Sequence, residues 1–260
     1  MSDSVKTTRK DGIFEVVLDR PKANAIDGAT SRAMSEAFVT FRDDPSLRVA
    51  ILTGAGTRFF SAGWDLKAAA EGATVEEDFG PGGFGGLSEL PNLNKPVIAA
   101  ANGMAVGGGF ELLLAADLVV AAEHAEFFLS ETRMGVIPDS ASFRLPKQLP
   151  RPLAMEMLLT GRHYSARETQ GLGLINQVVQ GPDVMDAARA MAAEILKGAP
   201  LAVEATKEIV RMGEGMPVAE CYRTMRSKGF PTFERLLVSE DIQEGPRAFA
   251  EKRDPMWKGR

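Results

Sequence analysis

"ANGMAVGGGFELLLAAD", residues 101–117, places three consecutive glycines, Gly107 to Gly109, just ahead of a single carboxylate, Glu111, in an otherwise apolar run. On either side stand two short apolar segments that look alike, "PVIAA" (96–100) and "LVVAA" (118–122). Continuous apolar strands belong to sheets covered on both faces. The stretch therefore reads as strand, glycine turn, helix, strand, which is the alternation of an α/β fold. The helix is expected to open near Phe110. Successive glycines let backbone N–H groups approach a ligand without side-chain obstruction. The open amides and positive dipole end of a helix start suit an oxygen that gains negative charge. Glu111 reads in two ways. It is an acid that favours the helix dipole and faces water, or, with Phe110, Leu112, Leu113 and Leu114 around it, a partly buried acid of raised pKa that can move protons.

Outward from this centre, "IFEVVL" (13–18) reads as a strand and "DRPKANAID" as the loop after it. Met34, Ala37, Phe38 and Phe41 recur at helical spacing, and "RVAILTG" (48–54) is an apolar strand stopped by glycine. In "RFFSAGWDLKAAAEG" (58–72) a strand-like approach reaches Gly63, and Trp64 and Asp65 start a helix. This is a plain β–turn–α junction, or a second source of an exposed amide at Trp64. In "EFFLSETRMGVIPDSASFRLP" (126–146), Glu131 follows an apolar strand, and taken alone it reads as a solvated turn residue. The Gly- and acid-rich segment 72–92, "GATVEEDFGPGGFGGLSELPN", is expected to be a mobile loop with one helical turn, or else a disordered surface excursion. After residue 150 the pattern is helical: "RPLAMEMLLTG" stops at Gly161, "SARE" (165–168) is a capping box, and Val184, Ala188, Met191 and Ile195 share a face, as do Ala202, Ala205, Ile209 and Met212. The division expected is an α/β catalytic core over 1–195 and a helical region over 196–260. The basic and aromatic end "GPRAFAEKRDPMWKGR" reads as a solvated tail or as a phosphate contact.

Composition narrows the function classes. The 260 residues carry a formal net charge of -5, which argues against nucleic acid as a partner. One cysteine, Cys221, excludes an intrachain disulfide and fits a cytoplasmic location. The start "MSDSVKTTRKDG" has no apolar signal region, and no apolar run reaches the length of a membrane span. Two histidines, His124 and His163, with one cysteine give no basis for a zinc site. No G-x-G-x-x-G after a strand, no G-K-[ST] loop and no G-x-S-x-G elbow is present.

Together, "PKANAI", "GAGTRFFSAGWDL", "KPVIAAANGMAVGGGFELLLAAD", "SETRMGVIP", "EMLLTGR", "GLINQVV" and "AFAEKR" resemble the crotonase (enoyl-CoA hydratase/isomerase) superfamily over the whole chain. The resemblance implies an α/β spiral of ββα repeats with a C-terminal helical region for trimerisation, and a homotrimer or dimer of trimers. It implies an acyl-CoA thioester substrate, with no metal and no cofactor beyond the CoA of the substrate. On the matching positions, the backbone N–H groups of Trp64 and Gly108 would form the oxyanion hole, and Glu111 and Glu131 would flank a water. Lys22, Ala23, Ala25, Ala62, Asp65, Leu66, Phe249 and Lys252 match CoA-binding positions. "LDRPKANAID", "FRDDP", "FFSAGWDLKAAAEG", "DFGPGGF" and "EKRDPMWKGR" carry a closer likeness to members that hydrate crotonobetainyl-CoA to L-carnitinyl-CoA. The other readings are a general short-chain enoyl-CoA hydratase, an isomerase, and a non-catalytic acyl-CoA- or RNA-binding member. A trimethylammonium-bearing chain would need an aromatic face or a carboxylate, for which Trp64, Phe84, Tyr164 and Asp139 are available. One departure stands out. Superfamily members often have Pro-x-x-Gly-Gly-x-x-Arg-Leu after the second glutamate, whereas "PDSASFRL" (138–145) is one residue shorter, with Ala-Ser for the glycine pair. An altered loop path is expected there.

Overall fold

The computed structural model describes residues 4–74 and 77–260. Residues 1–3 of the N-terminal reading and residues 75–76 of the 72–92 loop lie outside the described residues. In chain order the first elements are β1 (Val5–Lys10), β2 (Ile13–Leu18), α1 (Gly28–Asp43), β3 (Val49–Gly54), β4 (Phe59–Ser61) and α2 (Leu66–Ala70). The centre holds β5 (Val97–Ala101), β6 (Met104–Val106), α3 (Gly108–Ala115), β7 (Leu118–Ala122) and β8 (Glu126–Phe128). Then come α4 (Asp139–Gln148), α5 (Arg151–Thr160), β9 (Tyr164–Ser165), α6 (Ala166–Gly171), β10 (Gln177–Val179) and α7 (Val184–Leu196). The last are α8 (Pro200–Gly213), α9 (Val218–Arg226), α10 (Pro231–Leu237) and α11 (Asp241–Glu251).

Two sheets are woven from alternate strands. One runs β1-β2-β3-β5-β7-β10 and the other β4-β6-β8-β9. From β3 to β8 the chain visits the two sheets in turn, so each circuit lays one strand on each, and the pairings β3–β5, β5–β7, β4–β6 and β6–β8 are all parallel. This is a spiral. β3 and β5 are buried at every residue, as expected for strands covered on both faces. Asp27 caps α1 by accepting the Thr30 N–H at 2.8 Å. The helix therefore starts six residues before the Met34 from which its apolar period was read, because its first turns carry Gly, Thr and Ser. Its apolar stripe, Met34, Phe38 and Phe41, is buried, and Phe41 stacks on Phe14 of β2 at 6.0 Å.

The glycine-rich loop is seated on α1 in its described part. Gly82 N–H donates to Ser35 Oγ at 2.7 Å and Gly85 N–H to Ser31 Oγ at 3.1 Å. The one helical turn lies at Phe84–Gly86. Arg144 of α4 fastens the other side by donating to the Ser88 carbonyl at 2.6 Å. These anchors contradict a free surface excursion for residues 77–92.

The chain divides into two compact units, residues 1–91 with 97–192, and 92–96 with 193–260. In the second, the buried Glu208 of α8 caps α10 by accepting N–H groups from Thr232 at 2.8 Å and Phe233 at 3.2 Å. The C-terminal segment is folded back rather than solvated along its length: Asp241 accepts the Lys258 and Gly259 amides at 2.7 and 2.8 Å, and Trp257 Nε1 donates to the Lys197 carbonyl at 2.7 Å. Among the described residues no helix is long and apolar enough to cross a membrane.

Candidate active site

Three parallel strands of the second sheet, β4, β6 and β8, end side by side, and each hands over to a sequence-nominated residue within three positions: Trp64, Gly108 and Glu131. The carboxyl ends of parallel strands are where α/β folds open ligand crevices.

Helix α3 begins at Gly108, two residues earlier than the apolar pattern indicates. Gly108 is thus the first helical residue, and its N–H belongs to the set that no carbonyl of the helix itself can accept. Gly107 has φ 54°, and a side chain there would collide with Glu131 Oε1. A Cβ on Gly108 would strike the Phe84 ring, and one on Gly109 the Ser61 carbonyl. The three glycines are close-approach positions for three different segments.

The second amide comes from the turn after β4. A parallel bridge joins Ile26 and Trp64. It uses the Gly63 carbonyl, which accepts Ile26 N–H at 2.7 Å, and the Asp65 amide, which donates to Ile26 O at 2.9 Å. Trp64 N–H stays out of that ladder. Gly63 has φ 74°, and a Cβ on it would sit 2.6 Å from the Val106 carbonyl and 2.7 Å from Gly108 N. The turn carrying Trp64 and the start of α3 are therefore in backbone contact.

Glu111 is 5% exposed, which decides against the water-facing reading. Its Oε1 accepts the Ala141 N–H at 2.8 Å. Burial pushes its pKa up to about 7, with further upward pressure from Asp139 and Glu131, opposed by the Ala141 hydrogen bond and the Arg144 charge. Glu131 lies in a single 3-10 turn, Glu131–Met134. It is not a solvated turn residue: its Oε2 is buried with no hydrogen-bond partner among the described residues. Its pKa too is raised by burial first and by Asp139 next.

The shortened run "PDSASFRL" turns out to be the start of α4. Ala141, standing where a glycine was expected, supplies the amide that holds Glu111. Sequence reasoning flagged the segment and missed this contact, because a backbone donor leaves no mark in residue type. It also missed Phe79, which meets Trp64 edge-on at 5.6 Å and Phe84 at 5.9 Å.

Of the eight positions expected to meet CoA, six lie in the first unit. Ala62 N–H donates to the Ala23 carbonyl at 2.9 Å, which lays the 22–26 segment beside the β4 turn. Lys22 is exposed, Ala25 is half-buried, and Leu66 is 58% exposed. The Asp65 carboxylate is occupied: it caps α2 through Lys67 N–H at 2.9 Å and pairs with Arg20 at 2.7 Å. Its backbone is engaged as well, the N–H on Ile26 O at 2.9 Å and the carbonyl on Ala69 N–H at 3.0 Å, so Asp65 fixes the turn on which its neighbours sit. Phe249, 87% exposed, and Lys252 belong to the second unit, at the end of α11.

The enoyl-CoA hydratase/isomerase family model matches residues 8–260. A protein of Salmonella paratyphi A named carnitinyl-CoA dehydratase is 58% identical over 261 residues, covering 100% of both chains. A crystal structure of a carnitinyl-CoA hydratase from Mycobacterium avium is 41% identical with a TM-score of 0.78, and one of an enoyl-CoA hydratase from Mycobacterium marinum is 39% identical with a TM-score of 0.90; each comparison covers 100% of both chains. With a family match that runs nearly end to end, this chain belongs to the enoyl-CoA hydratase/isomerase family.

Proposed function

We propose that the chain is a hydro-lyase that reversibly adds water to crotonobetainyl-CoA to give L-carnitinyl-CoA. The observation that carries this is the meeting of Glu111, Glu131 and the start of α3 in one place, on a chain 58% identical throughout to a carnitinyl-CoA dehydratase. The thioester oxygen is received by the N–H groups of Trp64 and Gly108. A single such donor contributes about 3–4 kcal/mol to the transition state, and that stabilisation makes an α-carbanion accessible to carboxylate chemistry. In hydration, the water oxygen bonds to Cβ and its proton passes to Glu111, while Glu131 delivers its proton to Cα. Dehydration is the same path reversed. With Oε1 fixed by Ala141, Glu111 has its other oxygen for the proton. Lys22, Ala23, Ala25, Ala62, Asp65 and Leu66 hold the CoA end, with Phe249 and Lys252 contributing in a homotrimer or dimer of trimers. The single cysteine suits the cytoplasm.

The deciding experiment is turnover of purified protein on crotonobetainyl-CoA and on crotonyl-CoA, followed by loss of the conjugated enoyl thioester. The expected result is a clear preference for crotonobetainyl-CoA. Preference for crotonyl-CoA would leave a general enoyl-CoA hydratase, the activity for which the Mycobacterium marinum protein is named.

The pair also predicts a pH profile. Hydration needs Glu111 ionised to accept a proton and Glu131 protonated to deliver one, so activity falls at low pH, where both carboxyls hold protons. It falls again as pH rises past about 7, where Glu111 and Glu131 are both ionised. The two titrate together, and a bell-shaped kcat/KM reports the pair. A profile with no acid limb would remove Glu111 as the base.

A further inference from the structure

The acyl chain assigned above carries a fixed positive charge one carbon beyond Cβ. Two bonds separate that nitrogen from the carbon that water attacks, a span of about 2.5 Å at ordinary bond lengths and angles. Whatever recognises the cation must therefore border the two glutamates, on the side away from the oxyanion hole. Tyr164 is already taken: the Arg162 guanidinium lies 4.2 Å from its ring centre. Trp64, Phe79 and Phe84 pack on one another, and Phe84 rests on Gly108, so these rings wall the carbonyl end of the chain.

Asp139 is differently placed. It opens α4, two residues before the amide that holds Glu111 Oε1 at 2.8 Å. Its negative charge acts on both Glu111 and Glu131. The side chain is exposed, its Oδ1 accepts the Ser140 N–H at 2.5 Å, and it forms no ion pair among the described residues. The one basic group of α4 that acts on Glu111, Arg144, is tied to Ser140 Oγ at 3.0 Å and to the Ser88 carbonyl at 2.6 Å. Three carboxylates thus converge with no protein cation seated on Asp139. We propose that the Asp139 carboxylate receives the trimethylammonium group and makes this site select a cationic acyl chain over an uncharged one. A quaternary ammonium offers no hydrogen-bond donor, so charge at short range is what a carboxylate supplies to it.

This inference rests on the substrate proposed above, and one experiment separates the two. The kcat/KM values for crotonobetainyl-CoA and crotonyl-CoA are measured for the wild type, Asp139→Asn and Asp139→Glu. In Asp139→Asn the ratio of the two values is expected to fall about tenfold or more, chiefly through KM for the cationic substrate. Asp139→Glu, which keeps the charge, should recover part of it. A proportional loss on both substrates, or an unchanged ratio, overturns the role of Asp139 and leaves the proposed reaction standing. A wild type with no preference for crotonobetainyl-CoA overturns the substrate itself and this role with it, and that is read before any variant is made. Residual turnover of crotonyl-CoA reports that each variant is folded.

Discussion

Glu111→Gln should slow hydration about 10²- to 10⁴-fold, the range of a positioned general base, and should also make the folded chain more stable in alkaline buffer. The two effects share one cause. Burial raises the folded pKa of Glu111 from an ordinary 4.5 to about 7. A group whose pKa is raised on folding contributes its full stability below its unfolded pKa, and that contribution is lost as pH rises through the folded value. Above about pH 7 the wild type therefore holds a charge that the fold disfavours. A shift of this size corresponds to roughly 3 kcal/mol at most. Glutamine has nearly the same shape, keeps an oxygen for the Ala141 amide and carries no charge. Urea unfolding should give equal stabilities at about pH 4 and a lead for the variant at about pH 8.5. Equal stability at both would mean that Glu111 is not desolvated as its 5% exposure indicates.

Gly63→Ala is expected to cost both activity and stability. At φ 74° an alanine is strained by about 1–2 kcal/mol. Its methyl group would also lie 2.6 Å from the Val106 carbonyl and 2.7 Å from Gly108 N, both backbone atoms with no rotamer to change. Relief requires the Trp64 turn and the start of α3 to separate. Removing one oxyanion donor costs about 10²- to 10³-fold in kcat, and a displaced pair should lose at least that. The measurement is kcat with the thermal midpoint beside it. A variant with wild-type kcat, whatever its stability, would show that these two amides do not act on the thioester oxygen together.

What was readable in the sequence, and what was not, follows from how each group makes its contacts. β3, β5 and β7 were legible because strands covered on both faces admit only apolar residues. β1, "VKTTRK", passed unnoticed: it is the edge strand of its sheet, and only Val5 is buried. β6 hides in "NGMAVGGG", since three residues are too few to show a period. In the site, the glutamates and glycines could be nominated from residue type, yet taken alone Glu131 looked like a surface turn. Its carboxylate lies against Gly107, which is distant in sequence. The Ala141 amide and the neighbourhood of Asp139 arise from where α4 begins, which the expected glycine pair had concealed.

The alternation of strands between two sheets has an evolutionary reading. Each functional group arrives on its own circuit of the spiral, just past the end of β4, β6 or β8, while the strands themselves are held side by side by parallel pairing. The frame and its cargo are therefore separable. A substitution in one of those short post-strand windows can exchange a single chemical group without disturbing its neighbours on the other circuits, so the same scaffold can be handed a different reaction one position at a time.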